Sequence, residues 1–229
     1  NKEKEEGKLT VKDGNNIFYW NMVYPGAERV QGMILWWASL SGPMALPGDY
    51  KVVLKVGDTE KSQNFTILSN PASEASEADI KAQFDFINDI NAKVTEIHKA
   101  LKNVKKVRAQ VKTLKKSIKD KEKHKELIEF ADALVKDLTK VEETLYQTKS
   151  RSNQDPLNFP IRLNNKLAHL NSLTRIGNYG PTQQAIDFKN EISKEIDAEL
   201  AKLNAMFSNR VKELNKKVKD SQIDFIQLD

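Results

Sequence analysis

The strongest constraint on this chain is a change of hydrophobic rhythm at Ser69-Asn70-Pro71. Before it apolar residues recur with a period near two, the mark of strands, and after it every three or four residues, the mark of helices. One pattern does not serve the other structure, because it would scatter the apolar residues over both faces. The sequence therefore predicts two modules, residues 1–70 and residues 71–229. The expected class is α+β: a small antiparallel β-sandwich of immunoglobulin or fibronectin type, followed by an elongated antiparallel bundle of about four helices.

In the first module, strands are expected over residues 17–24, 33–39, 50–56 and 65–68, which are rich in aromatic and β-branched side chains. Gly57-Asp58 marks a hairpin, and Gly42-Pro43 and Pro47-Gly48 bound a loop with two corners. Alternation makes Phe18, Trp20, Tyr50, Val52 and Leu54 the core candidates. Trp36 and Trp37 are adjacent, so on any strand they point to opposite faces and one ring needs a cover outside the core.

In the second module, Ser73 or Ser76 can cap a long helix with a heptad-like seam running from Ile80 to Ile118. Leu127, Ala131, Leu134, Leu138, Val141 and Leu145 supply a second helix that folds back after a charged turn. Asp155-Pro156 and Phe159-Pro160 break the pattern. A shorter third helix carries Leu163, Leu167 and Leu170, and a fourth carries Ile186, Ile192, Ile196, Leu200 and Leu203.

Composition narrows function mainly by exclusion. The 229 residues contain no cysteine, hence no thiolate site or disulfide. The longest apolar run is residues 33–38, too short for a membrane-spanning helix. The opening Asn1-Lys-Glu-Lys-Glu-Glu is charged where a signal peptide is apolar, and the chain reads as a piece of something longer. A net charge of +5 conceals a crowd of lysines between Lys99 and Lys125. That stretch reads first as a solvated helix face and hairpin tip. Attraction to an anionic polymer is the other reading, although no aromatic residue is present there to stack on bases, and nucleic acid is not favoured.

No catalytic, metal or cofactor constellation is expected. His98, His124 and His169 lack the spacing that places two imidazoles on one helical face. His98 follows the seam residue Ile97 and reads as a hydrogen-bonded structural group. There is no glycine-rich phosphate loop and no nucleophile elbow. The most specific segment is residues 145–167, where amides and Arg162 interleave with apolar anchors. Gln154, Asp155, Asn158, Arg162, Asn164 and Asn165 form a recognition loop in one reading. In the other, the asparagines satisfy backbone groups freed by the prolines while Leu157 and Phe159 plug the bundle end.

That segment, together with Trp20-Asn-Met-Val-Tyr-Pro25 and Gly42-Pro-Met-Ala-Leu-Pro-Gly-Asp-Tyr50, resembles the C-terminal region of bacterial sortilin-like, BNR-repeat glycosyl hydrolase-type proteins. The resemblance implies an immunoglobulin-like module and a helical region following a large β-propeller, in an exported protein. No propeller repeat lies in this chain, and Val23 stands where such proteins often carry arginine. The function expected is a non-catalytic accessory region that packs on that propeller or on a protein partner. Tyr24, Trp36 and Trp37 join the amide-rich loop as its candidate interaction surface, and the long helices could also pair two copies. A carbohydrate-binding module using the same rings is the alternative. A third reading is an enzyme with an unfamiliar site around Asp155, Arg162 and Asn164.

Overall fold

A computed structural model describes residues 9–223; the charged opening run Asn1 to Glu6 and the two chain ends lie outside them. The element order is β1 (Gly48–Val56), β2 (Thr59–Ile67), α1 (Glu77–Ser117), α2 (Lys125–Leu145), α3 (Leu163–Thr174), α4 (Gln183–Ala205) and α5 (Val211–Asp220). A 3-10 turn, Asp155–Leu157, precedes α3, and a π turn, Met206–Arg210, joins α4 to α5 as one continuous rod.

The expected β-sandwich does not form. Among the described residues the only sheet is the two-stranded antiparallel hairpin β1–β2, in continuous register from Gly48 opposite Ile67 to Val56 opposite Thr59. Of the core candidates, Phe18, Trp20, Val52 and Leu54 are exposed and Tyr50 is half-buried. The cause lies in where the backbone groups go. Residues 17–20 join no sheet, and residues 33–39 bond to helices: the Trp36 N–H donates to Asn165 Oδ1 at 2.6 Å and the Ser39 N–H to the Ala168 carbonyl at 3.3 Å. Strand-like composition records fit to a half-buried surface, and here helices supply that surface.

Helix α1 starts at a reciprocal capping box: the Ser76 hydroxyl accepts from the Asp79 N–H at 3.1 Å, and the Asp79 carboxylate accepts from the Ser76 N–H at 3.1 Å. Its 41 residues make a rod of roughly 60 Å at 1.5 Å per residue. Such a rod is stable only against partners, and α2 returns antiparallel along it. Ile90, Val94, Ile97, Leu101 and Val104 meet Leu134, Leu138 and Leu145 in one fully buried core. Helices α3 and α4 close the end where α1 begins, and α5 packs on α2.

The segment preceding β1 contributes to this same core. Residues 22–27 run antiparallel to residues 40–45 through three backbone bonds: Tyr24 N–H to the Pro43 carbonyl at 2.9 Å, Ala27 N–H to the Leu40 carbonyl at 2.8 Å and Ala45 N–H to the Met22 carbonyl at 2.7 Å. Gly26 and Gly42 sit where these passes touch; a Cβ on Gly42 would lie 2.0 Å from the Tyr24 carbonyl oxygen. Ala27 and Leu40 are buried against the helices, so the loop forms a strap across them.

Candidate interaction site

The strap is held by amide side chains projecting from helix faces that otherwise bury aliphatic residues. The Ser41 carbonyl accepts from Asn91 Nδ2 at 2.9 Å, Asn171 Nδ2 at 3.1 Å and Arg175 Nη2 at 2.8 Å. Asn171 also donates to Asn91 Oδ1 at 3.0 Å, and Arg175 donates to Asn171 Oδ1 at 2.6 Å and to the Gly42 carbonyl. Burial holds the Arg175 guanidinium below its usual pKa. At the strap's other side the Glu28 N–H donates to Thr95 Oγ1 at 3.0 Å, while Glu28 pairs with Lys102. The hydrogen bond from Lys102 holds the Glu28 carboxyl below its ordinary value, although burial opposes it.

His98 is fully buried beneath the strap. Its Nδ1 lies 2.5 Å from the Glu28 carbonyl, which can only accept, so Nδ1 carries the proton and the bare Nε2 accepts from Asn164 Nδ2 at 3.4 Å. Burial is the largest influence on the ring and pushes its pKa down. Asn164 Nδ2 also approaches Met33 Sδ at 3.4 Å, leaving Asn164 Oδ1 buried without a partner.

Above this layer the strap displays tryptophans. Asn165 grips the Trp36 backbone from both sides, accepting from its N–H and donating to its carbonyl at 2.9 Å. The next residue, Trp37, is held at φ +53° with 76 % of its surface exposed, and its ring meets Trp36 edge to face at 6.3 Å. A bulky residue in the left-handed region is strained by about 1–3 kcal/mol, and that strain persists only where its surroundings impose it. The Asn165 clamp fixes the residue immediately before Trp37.

A second exposed surface lies on the hairpin. Tyr50, Val52, Leu54, Val56 and Phe65 share one face. Trp20 covers only its base, lying 5.9 Å from Tyr50 and 6.3 Å from Phe65, while Val52, Leu54 and Val56 remain open. Tyr24 links this face to the helices, packing edge-on against Phe84 at 5.4 Å. Burial, followed by the neighbouring Tyr24 hydroxyl, raises the Tyr50 pKa.

The candidate residues of the amide-rich loop separate into two groups. Asn164 and Asn165 are buried and anchor the strap, not the proline-broken turn. Gln154, Asn158 and Arg162 are exposed around that turn. Asp155 closes it, accepting from the N–H groups of Arg151 at 2.5 Å and Ser152 at 3.0 Å and from the Ser152 hydroxyl at 2.8 Å; the Arg151 N–H is the main reason its pKa is lowered. The Pro160 carbonyl is satisfied by Gln147, and Leu157 is two-thirds exposed, so it plugs nothing. Asp155, Arg162 and Asn164 share no partner. Among the described residues no three histidine, cysteine or acidic side chains converge on one point.

Sequence reasoning missed Asn91, Asn171, Arg175 and Gln83. The last reaches the Thr174, Gly177 and Tyr179 carbonyls at 2.8 to 3.0 Å and fastens the α3–α4 turn to α1. The available signal was an amide in a buried register: Asn91 is four residues after Ile87, and Asn171 is four after Leu167. No protein-family model, curated protein or solved structure matches this chain.

Proposed function

We propose that this chain is a non-catalytic interaction region that docks onto a β-rich protein surface, with a β-propeller of the sortilin or BNR type as the expected partner. The observation carrying this reading is the uneven distribution of exposed apolar side chains. Among the described residues, sixteen of the twenty-one large exposed hydrophobic residues precede Ser69, while the helices bury nearly all of theirs. Within this set Val52, Leu54 and Val56 share one exposed hairpin face, and an apolar patch of that kind marks a contact site. The family resemblance supplies the partner and an extracytoplasmic setting.

The test is titration of a purified bacterial sortilin-type propeller into the chain. Binding should shift tryptophan fluorescence and be lost in Val52→Lys/Leu54→Lys. No interaction at high micromolar concentration refutes the propeller assignment. A glycan-binding alternative rests on the solvent-facing ring of Trp37, since an exposed aromatic face can stack on a sugar. Binding on a glycan array that disappears in Trp37→Ala would favour it over protein docking.

A further inference from the structure

At the end of the molecule remote from the strap, helices α1 and α2 leave an open groove. The strap reaches α1 no further than Lys102, whereas the groove begins at Arg108 and runs to the interhelical turn. Its floor is apolar, formed by the half-buried Ile128 and Val135 over the almost fully buried Val111, and its volume is about 500 Å³. Towards the other end α3 and α4 pack on both α1 and α2, but here the backbone of the next rod, α5, comes close to α2 and not to α1. It lies on the other flank of α2, where Arg210 and Lys217 sit over the Phe130 ring. The groove is a two-helix seam lacking the third helix that would normally fill it.

Its rim is cationic. From Lys99 to Lys119 the chain carries nine lysines and arginines and no carboxylate. At the groove itself Arg108 is occupied by Glu142, and Lys115 by Asp132 at 2.6 Å. Lys112, Lys116 and Lys121 also line it and have no carboxylate partner among the described residues. We infer that this groove binds an amphipathic helix of a protein partner, with the apolar stripe of that helix on Val111, Ile128 and Val135 and its acidic residues against Lys112, Lys116 and Lys121. An apolar floor between two rods fits a helix laid lengthwise. It offers nothing to a sugar-phosphate chain, and the stretch from Lys99 to Lys125 holds no Phe, Tyr or Trp for base stacking. A concave seam also gives a flat bilayer no apolar contact.

The inference concerns a different surface from the hairpin face and stands without it. The probe is a fluorescein-labelled fourteen-residue peptide with leucines at helical i, i+3, i+4, i+7 spacing and glutamates elsewhere, measured by fluorescence anisotropy against the full chain. Saturable binding is expected, weakening as salt rises, with a helical signal appearing in the bound peptide. Lys112→Gln/Lys116→Gln/Lys121→Gln should weaken it by roughly tenfold, the accumulated effect of three exposed charge pairs. Ile128→Ser/Val135→Ser should weaken it independently, with circular dichroism confirming that the helices persist. A control, Lys212→Gln/Lys216→Gln/Lys219→Gln on α5, should leave it unchanged. The proposal is overturned by an absence of binding at millimolar peptide, or by equal losses in the control. It is overturned also if heparin or anionic phospholipid vesicles bind more tightly than the peptide and the serine variants have no effect, since the surface then reads charge alone.

Discussion

Replacing Gly42 with alanine tests whether the strap is a separable layer on an independently stable helical body. The new Cβ would stand 2.0 Å from the Tyr24 carbonyl oxygen and 2.4 Å from the Pro25 carbonyl oxygen, against an ordinary contact of at least 3.4 Å, so the two passes must separate by 3.4 − 2.0 = 1.4 Å. Opening by that amount breaks the bonds at Tyr24, Ala27 and Ala45 and withdraws the Gly42 carbonyl from Arg175. At about 0.5–1.5 kcal/mol for each backbone bond, the expected cost is about 3 kcal/mol. The three tryptophans, Trp20, Trp36 and Trp37, all precede β1, so their fluorescence reads the strap while far-UV circular dichroism reads the helices. In urea the two transitions should coincide for the parent chain. In Gly42→Ala the fluorescence transition should move to much lower urea, with the dichroism transition following less. Coincident transitions within about 0.5 kcal/mol of the parent would refute the argument, because they would show that the tight crossing between Gly26 and Gly42 constrains nothing.

Three further outcomes follow from the same contacts. Arg108→Ala should destabilise the helical hairpin by about 3 kcal/mol, since it strands the Glu142 carboxylate, only 3 % exposed, without its partner; Arg108→Ala/Glu142→Leu should recover most of the loss in urea denaturation. Trp37→Gly should raise stability by about 1 kcal/mol by relieving the positive φ, while abolishing any partner or glycan contact made by that ring; unchanged stability would show that the backbone is unstrained. His98 gives a pH dependence. Its folded pKa is depressed, so its contribution is fully present above the unfolded value near 6.5 and is lost as pH falls below it, by up to about 1.4 kcal/mol per pH unit until the folded pKa is reached. Facing groups are Glu28, which favours the charged ring, and Lys102, which opposes it; His98→Gln should flatten the dependence between pH 7 and 5, and an equal slope in that variant would assign it elsewhere.

The helical region was legible because its apolar spacing had a single economical solution. The seam from Ile90 to Val104 demands other helices for its burial, and Leu134 to Leu145 provides the first of them. The amino-terminal region was illegible for a matching reason. Residues 17–24 and 33–39 both have the composition of strands, yet residues 17–20 stay exposed and join no sheet while residues 33–39, Trp37 apart, are half-buried on helices, and periodicity does not say what, if anything, buries a surface. For Trp36 and Ser39 the burying surface is α3, reached across more than 120 residues of sequence, and no local pattern encodes that pairing. Asn165 stands out in the sequence as one amide in a specific segment, but neither a recognition role nor a proline-freed backbone accounts for its bonds. Its two bonds go to Trp36, not to groups released by Pro156 or Pro160.

The physical chemistry of the clamp bears on how the exposed rings are used. Asn91, Asn171, Arg175 and Asn165 desolvate polar groups to hold an irregular loop, where aliphatic residues would pack the same helices without that cost. What the amides provide is a fixed strap conformation, including the left-handed Trp37, before any partner arrives. In the proposed docking, a backbone already held in place would lose little entropy on association, which would offset part of the strain at Trp37 and of the desolvation of the amides. The hairpin face contrasts with it: Val52, Leu54 and Val56 sit on a two-stranded ribbon with no second layer behind them, and such ribbons are marginal alone. The strap is thus a rigid contact and the hairpin a yielding one. On hydrogen exchange with a bound partner, protection should increase strongly in β1 and β2 and little at Trp36 and Ser39, whose amides already donate to α3.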